Sequence, residues 1–328
     1  MSDTLFRMAG ERQDERMQAV AIATQLDYYY FQGTNEDSVI HYTNKVKEFA
    51  KATHQPKYYY FAWANRLITY YLKTSRTNIA LYEVQNMLKE AQEEDDKTGL
   101  SRCYNIMSQI YTIKRFDSMA FEWRLKEIEL TEKYKIENYN ISQTYAQIAN
   151  YYINQKKQKE ALAAVEKAIA TANSSTQQIS AKLEFVNYYS KFGDFQAAEK
   201  LLKECQAAFE QDKRLESIKK RLYNIECLYY QQTKQYQKAL EAAKMQEKEE
   251  RRLSESILSS IHYRTQGEIY QKMGNMNLAV KYLQMYINTD DSLKIANEQV
   301  SSSEFATLLN VEKLNAEKKE LMLQAQEK

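Results

Sequence analysis

A small residue recurs along the chain at a nearly constant spacing, and this repeat limits the possible folds more than any other feature of the sequence. After a first position held by Val39, the positions are Ala80, Ala120, Ala161, Ala198, Ala239 and Ala279, with successive spacings of 41, 40, 41, 37, 41 and 40 residues. A tyrosine stands nine residues before each of them, at Tyr30, Tyr71, Tyr111, Tyr152, Tyr189, Tyr230 and Tyr270. Two residue types that keep one register along the chain indicate an array of similar units.

Each unit is predicted to be a pair of helices. The chain has 6 glycines and 1 proline in 328 residues, so it is poor in the residues that punctuate tight turns and sheets. Small residues let two helices approach closely, and the tyrosine fills the gap towards the next pair. Because a single pair cannot bury its apolar side, stacked neighbours are expected to supply the missing contacts.

A second tyrosine directly precedes five of these tyrosines. The five are Tyr29, Tyr70, Tyr151, Tyr188 and Tyr229. Neighbouring side chains on a helix point about 100° apart, so one ring can face the helix partner while the other faces the adjacent unit. We interpret the pairs as packing residues, and an aromatic ladder that binds a ligand is the alternative.

The clearest unit, from Tyr263 to Leu283, resembles the tetratricopeptide repeat consensus. The matching residues are Gly267 at position 8, Tyr270 at position 11, Gly274 and Asn275 at the turn, and Ala279 at position 20. The resemblance implies an all-α fold, an α-α superhelical solenoid of about seven tetratricopeptide-like hairpins. A period near 40 residues exceeds the usual repeat of about 34, so longer helices are expected. The proline usual at position 32 is missing, and Asn173 and Asp291 stand there in two units.

The register divides the chain after Asp291. Residues 1–291 are predicted to form the repeat array, with units near 20–59, 61–100, 101–141, 142–178, 179–219, 220–259 and 260–291. Residues 292–328 are predicted to form a long C-terminal capping and connector helix, whose start Asp290, Asp291 and Ser292 can cap. Its distal half is rich in Ala, Glu, Lys and Gln, so we expect it to be exposed to solvent unless it pairs in a homodimer.

In tetratricopeptide proteins, ligands lie along an inner groove lined by the first helix of each hairpin. The resemblance assigns this role here to Asn65, Lys73, Asn105, Gln109, Asn150, Asn154, Asn187, Lys191 and Asn224. Amide side chains both donate and accept hydrogen bonds, which suits an extended peptide backbone, and lysine can hold a carboxylate. We therefore predict a peptide or protein ligand in the groove. The match to the family's two-carboxylate clamp is partial, and an ordinary solvated polar face is the alternative.

Catalytic, metal, cofactor and nucleic-acid sites are not indicated. The sequence has no glycine-rich phosphate loop and no nucleophile elbow, and its histidines, His41, His54 and His262, lie far apart. Cys103, Cys205 and Cys227 form no CxxC pair and are predicted to be buried thiols. Lys and Arg total 46 against 44 Asp and Glu, so no basic excess favours nucleic acid. We expect no enzymatic activity and no cofactor.

A repeat array followed by a charged helix resembles the periplasmic sensor region of membrane-anchored two-component sensor histidine kinases. The kinase half is missing from this sequence, so the resemblance implies a non-catalytic sensor region that relays ligand binding through the C-terminal helix. It also implies the periplasm, as part of an inner-membrane protein. Attachment would need flanking segments, since no run of roughly 18 apolar residues occurs. The alternative is a cytoplasmic tetratricopeptide scaffold or peptide-sensing regulator.

Overall fold

The computed structural model describes residues 2–33, 35–253 and 260–292, together with residues 294, 298, 299, 301, 304 and 313. The chain divides into two compact units. Unit 1 consists of Met1–Leu130 with Ala296–Lys328, and unit 2 consists of Thr131–Ile295. The described backbone is helical apart from short turns, and no strand occurs within it.

Unit 1 starts with one helix and continues as helical hairpins. Its elements are α1 (Ser2–Glu11), α2 (Glu15–Gln32), α3 (Glu36–Ala52), α4 (Pro56–Tyr60), a π-helical segment (Phe61–Ile68), α5 (Thr69–Lys73), α6 (Thr77–Glu93), α7 (Lys97–Ile113) and α8 (Asp117–Tyr134). Helices α2 and α3 form hairpin 1, α4 to α6 form hairpin 2, and α7 and α8 form hairpin 3, with the last turn of α8 crossing into unit 2. The repeat register did not indicate α1, which packs on α2 and buries Ala9.

Unit 2 continues the same order of hairpins. Its elements are α9 (Ile141–Asn154), α10 (Gln158–Ala170), α11 (Ser175–Phe192), α12 (Phe195–Gln211), a 3-10 segment (Lys213–Ile218), α13 (Lys219–Gln232), α14 (Tyr236–Leu253), α15 (Ile261–Lys272) and a helical stretch at 276–292. The first helices of hairpins 4, 5 and 6, namely α9, α11 and α13, pack on one another in sequence order. The predicted all-α class of stacked helical hairpins is confirmed.

The recurring small residues lie where the helices pack most closely. The side chains of Val39, Ala80, Ala120, Ala161, Ala198 and Ala239 are fully buried, and Ala279 is 2% exposed. Gly267 on α15 shows how little room such a position offers. A Cβ atom there would lie 2.8 Å from Cγ and 3.2 Å from the backbone nitrogen of Leu283 on the partner helix. Glycine is therefore required for this close approach.

The turn inside each hairpin contains one residue with left-handed backbone dihedrals. These residues are Gly33, Ser75, Arg115, Lys156, Gly193, Lys234 and Gly274, with φ between +57° and +93°. A left-handed residue ends a helix and reverses the chain, and glycine adopts this conformation without steric cost. Four of the seven turns use a residue other than glycine. The chain can therefore repeat this turn although it contains few glycines.

The predicted burial of the three cysteines is confirmed. Cys103, Cys205 and Cys227 are free thiols inside the helical packing. Burial raises the pKa of the Cys103 thiol to about 12 and has the same effect at Cys205. Both thiols are therefore protonated at neutral pH and are poor nucleophiles.

Within the described part of the chain, no helix combines the length and apolar character needed to cross a bilayer. The predicted C-terminal helix over residues 292–328 lies mostly outside the described residues. Those that are described, namely 292, 294, 298, 299, 301, 304 and 313, are helical. Glu304 is buried, with 3% of its surface exposed.

Candidate functional site

A groove in unit 1 runs between the first helices of hairpins 1 and 2. It encloses about 1010 Å³. One wall is lined by Glu15, Arg16, Val20, Ala23, Thr24 and Asp27 of α2, and the other by Gln55, Pro56, Lys57, Tyr58 and Phe61. We call this feature the α2–α4 groove. Its walls combine apolar and aromatic side chains with charged groups of both signs, as in sites that bind organic ligands.

Arg66 connects the two helices at this groove. Its guanidinium forms an ion pair with Asp27 of α2. The same group lies 4.3 Å from the ring centroid of Phe61, 4.9 Å from that of Tyr30 and 5.6 Å from that of Phe31. Guanidinium groups stack well on aromatic faces, so Arg66 is fixed by both charge and stacking.

An aromatic surface remains exposed beside this cation. Phe31, near the end of α2, is 73% exposed although it contacts Tyr30 and Arg66. The amino group of Lys73 on α5 lies 4.8 Å from the ring centroid of Tyr30. Two cations therefore approach one tyrosine ring, and the neighbouring phenylalanine faces solvent. This arrangement can bind an apolar or aromatic side chain that carries a carboxylate nearby.

The second wall of the groove continues into the π-helical segment, Phe61–Ile68. π-Helical turns are rare and often lie at functional sites. The hydroxyl of Thr69 donates to the carbonyl of Ala64, five residues earlier, at 3.1 Å. The indole nitrogen of Trp63 is fully buried and has no hydrogen-bond partner among the described residues. A buried donor without an acceptor lowers the stability of the fold, so the Trp63 indole makes this π-helical segment locally less stable.

Two of the residues predicted from the sequence lie on the helix that carries Arg66, outside the lining of the groove. Asn65 is exposed on the π-helical segment, and its backbone carbonyl accepts a hydrogen bond from Arg66 Nη1 at 3.0 Å. Lys73 is exposed at the end of the same continuous helix. The structure thus brings Lys73 to the tyrosine ring that Arg66 also contacts.

The next two predicted residues, on α7, are already paired. Asn105 donates from Nδ2 to both carboxylate oxygens of Glu127 on α8, at 3.1 Å each. Gln109 donates from Nε2 to Asn105 Oδ1 at 2.6 Å. Because Glu127 is 1% exposed, the Asn105 amide compensates a buried carboxylate within hairpin 3.

In unit 2 the predicted residues divide into exposed and buried groups. Asn154 donates from Nδ2 to Asn150 Oδ1 at 2.9 Å on α9, and Lys191 is exposed on α11. Asn187 is 8% exposed and donates to Glu184 at 3.4 Å. Asn224 is half-buried on α13.

Glu184 also links two hairpins of unit 2. Its Oε1 accepts from Arg221 Nη2 on α13 at 2.5 Å. The Asn187 amide therefore forms part of a buried hydrogen-bonded group. It is less accessible to an external ligand than the exposed side chains of Asn154 and Lys191. Among the predicted residues, Asn65 and Lys73 are the two on the continuous helix that forms the second wall of the α2–α4 groove, although neither belongs to its lining.

The sequence analysis missed Asp27, Phe31, Phe61 and Arg66. Arg66 directly follows Asn65 in sequence, and Phe31 directly follows Tyr30. Extending each assigned repeat position by one residue finds both. Asp27 carries no such signal, since its role depends on the distance between two helices.

A second cavity, of about 390 Å³, lies between α3, α4 and α6. Lys51 donates to Glu90 at 3.1 Å and to Glu94 at 2.8 Å, and the Tyr59 hydroxyl donates to Glu90 at 3.2 Å. Burial, followed by the nearby Glu90 carboxylate, raises the pKa of Tyr59. These polar groups bind one another, whereas Arg66, which contacts the groove residues Asp27 and Phe61, lies against the exposed ring of Phe31. We therefore take the groove as the candidate site.

No protein-family model and no curated protein matches the sequence. Several solved structures match the fold. Apo RapI aligns with 82% of this chain and 98% of its own, at 16% identity and a TM-score of 0.58. NprR in complex with its cognate peptide NprX aligns with 81% of this chain and 77% of its own, at 13% identity and a TM-score of 0.56.

A tetratricopeptide repeat protein from Parabacteroides merdae ATCC 43184 also matches. It aligns with 87% of this chain and 99% of its own, at 12% identity and a TM-score of 0.52. Identities this low carry no information on ligands or activity, but the likeness of fold is extensive. The chain has the fold of tetratricopeptide-type helical repeat proteins.

Proposed function

We propose that the chain is a non-catalytic binding module that holds a peptide segment in the α2–α4 groove. The observation that carries this proposal is the exposed Phe31 beside two cations, Arg66 and Lys73, that share the Tyr30 ring. An aromatic or aliphatic side chain can pack on Phe31 and Phe61. A carboxylate of the same peptide then lies within reach of Lys73.

The size and polarity of the groove support a peptide. Its volume of about 1010 Å³ is at the upper end of the roughly 300–1,000 Å³ typical of small-molecule sites. The exposed Asn65 amide beside it offers a donor and an acceptor to a peptide backbone. One structure of the same fold, NprR, is a complex with its cognate peptide.

These observations favour a scaffold or peptide-sensing regulator over the membrane-anchored sensor region of a two-component kinase. The sensor hypothesis depends on a signal relay through residues 292–328, most of which lie outside the described residues. The scaffold or regulator hypothesis requires only a groove that accepts a peptide, and all the side chains that support such a groove are described.

Affinity selection tests the proposal. A random heptapeptide library is selected on the immobilised full chain, and enriched peptides are titrated by calorimetry. The groove variant is Lys73→Glu, which reverses an exposed charge. Its matched control is Lys89→Glu on α6, where the side chain is 79% exposed. Circular dichroism checks that both variants fold.

We expect enriched peptides to contain an acidic residue near an aromatic or aliphatic one. Lys73→Glu should weaken their binding about tenfold, a change of about 1.4 kcal/mol, because the charge facing the peptide changes sign. Lys89→Glu should leave the affinity within twofold. If no peptide is enriched, or if both variants bind as the wild type does, the proposed function is wrong.

A further inference from the structure

Helix α6 begins without a capping side chain of its own. Helices α2, α3 and α7 each follow a residue whose side chain accepts an amide hydrogen of the first turn, namely Asp14, Asn35 and Asp96. The residue before α6 is Arg76, which makes no such bond. The amides of the second and third residues of a helix lack partners inside it and need an acceptor from elsewhere.

That acceptor comes from the far end of the chain. Glu304 Oε1 accepts from the backbone nitrogens of Asn78 at 3.1 Å and Ile79 at 3.2 Å, the second and third residues of α6. Its Oε2 accepts from Asn78 Nδ2 at 2.7 Å. Asn78 and Glu304 are 226 positions apart in sequence. A single carboxylate thus caps α6 as a local aspartate would.

The site has features of a built receptor for a carboxylate. Glu304 is 3% exposed, and a buried carboxylate is costly unless several donors bind it. Lys114 Nζ donates to Asn78 Oδ1 at 2.7 Å, which orients the Asn78 amide and brings a positive charge near. Asn78 Nδ2 also donates to Ser301 Oγ at 3.2 Å, one helical turn before Glu304. The helix N-terminus itself favours an anion.

We propose that the start of α6, with Asn78 and Lys114, is a binding site for a glutamate side chain presented on a helix. Glu304 of this chain is its resident occupant, and the C-terminal segment docks there reversibly. Because Glu304 belongs to the same chain, its docking is intramolecular and competes strongly with a separate copy of the segment. A separate copy of the segment therefore binds well only when the tethered carboxylate is removed.

Hydrogen exchange tests the docked state in the full chain. The amides of Asn78 and Ile79 should be protected in the wild type, because they donate to Glu304. Glu304→Ala removes the acceptor and should speed their exchange at least tenfold. The nearly isosteric Glu304→Gln keeps one acceptor oxygen but loses the charge, so it should speed exchange by a smaller factor. Glu93→Gln, a charge-to-amide change at the other end of α6, serves as the control and should leave both amides unchanged. Equal exchange in the wild type and both Glu304 variants would overturn the proposal.

Binding of the segment in trans tests the receptor. The probe is a fluorescein-labelled synthetic peptide of residues 298–310, followed by fluorescence anisotropy. It should bind the full-length Glu304→Ala chain at least tenfold more tightly than the wild type. The same peptide with glutamine at position 304 should lose that binding. A peptide that binds both chains equally, binds neither, or binds as well with glutamine contradicts a site for the glutamate side chain.

One further variant separates docking from the stability of α6. Asn78→Asp places a carboxylate in the first turn of α6, which stabilises the helix by itself, but it repels Glu304. In the background of Glu304→Ala this variant should keep the helix folded and still fail to bind the peptide. Retained binding of the peptide would contradict the role assigned to Asn78.

Discussion

Arg66 in hairpin 2 forms an ion pair with Asp27 in hairpin 1, and aromatic rings from both hairpins surround the same guanidinium. One side chain thus holds together the two helices that form the walls of the α2–α4 groove. Since both the shape of the groove and its charge depend on this contact, the stability of unit 1 and the binding of a ligand should respond together when it is changed.

A double-mutant cycle measures this contact. Arg66→Met keeps an apolar stem over the rings but removes the charge, and Asp27→Asn removes the partner charge. Each change should lower the free energy of unfolding by about 1 kcal/mol, because the pair is partly shielded and Arg66 also stacks on the rings. The double variant should lose less than the sum, which urea denaturation will show. Strict additivity would mean that the two residues do not interact energetically.

The hairpin turns give a prediction on backbone strain. Lys156 and Lys234 adopt left-handed dihedrals that disfavour side chains, so Lys156→Gly and Lys234→Gly should each stabilise the chain by about 0.5 kcal/mol. Gly193→Ala should destabilise it by about 1 kcal/mol. A Cβ added at Gly193 would meet no atom within 4 Å beyond its chain neighbours, so this substitution measures the backbone strain without a packing clash. Thermal unfolding followed by circular dichroism measures all three, and stabilisation by Gly193→Ala would contradict the assignment of the turn.

The close helix contact at Gly267 should tolerate no side chain. Gly267→Ala adds a methyl group that would lie within 3.2 Å of the Leu283 backbone nitrogen, which cannot move independently of its helix. We expect a loss of about 1–3 kcal/mol in unfolding free energy, the cost typical of overpacking. Gln284→Ala on the neighbouring exposed surface is the control and should change stability by less than about 0.5 kcal/mol. A neutral Gly267→Ala would show that the two helices do not approach this closely.

The cysteine thiols predict a pH dependence of stability. Burial raises the pKa of Cys103 from an ordinary value of 9.0 to about 12, and Cys205 behaves alike. The folded chain therefore holds these protons where the unfolded chain releases them, so the unfolding free energy should fall as the pH rises from 9 towards 12. The substitutions Cys103→Ser and Cys205→Ser together should flatten this decline.

Thiol labelling gives a direct check. At pH 8 the native chain should react with Ellman's reagent at none of its three buried cysteines, and the unfolded chain should react at all three. Rapid labelling of the native chain would place a thiol at the surface.

The repeat was predictable because close helix packing accepts few residue types. The fully buried Ala161 and Ala198 fall at the predicted register, and so does the close contact at Gly267. The turns were only partly predictable. A glycine such as Gly274 indicates a left-handed turn residue, but Lys156 and Lys234 adopt the same conformation. Lysine is tolerated rather than preferred in this conformation, so its presence does not indicate a turn.

The candidate site was less predictable, for two physical reasons. The family's groove positions identified amides and lysines by their place on the first helix of each hairpin. Of these, Asn187 is buried in the packing, whereas Lys73 is exposed and lies over the ring of Tyr30. The contacts of Arg66 with Asp27 and of Glu304 with Asn78 join residues far apart in sequence. Such pairs depend on how hairpins are placed in space, which a repeat register does not specify.

Photo-crosslinking tests most directly whether the α2–α4 groove holds the ligand. A heptapeptide from the selection, carrying a benzophenone at its aromatic or aliphatic position, is irradiated with the full chain, and the products are mapped by mass spectrometry. We predict crosslinks within Glu15–Gln32 and Phe61–Ile68, which the Lys73→Glu variant reduces and the Lys89→Glu variant does not. Crosslinks that fall on α3 and α6, or that both variants leave unchanged, would contradict this account.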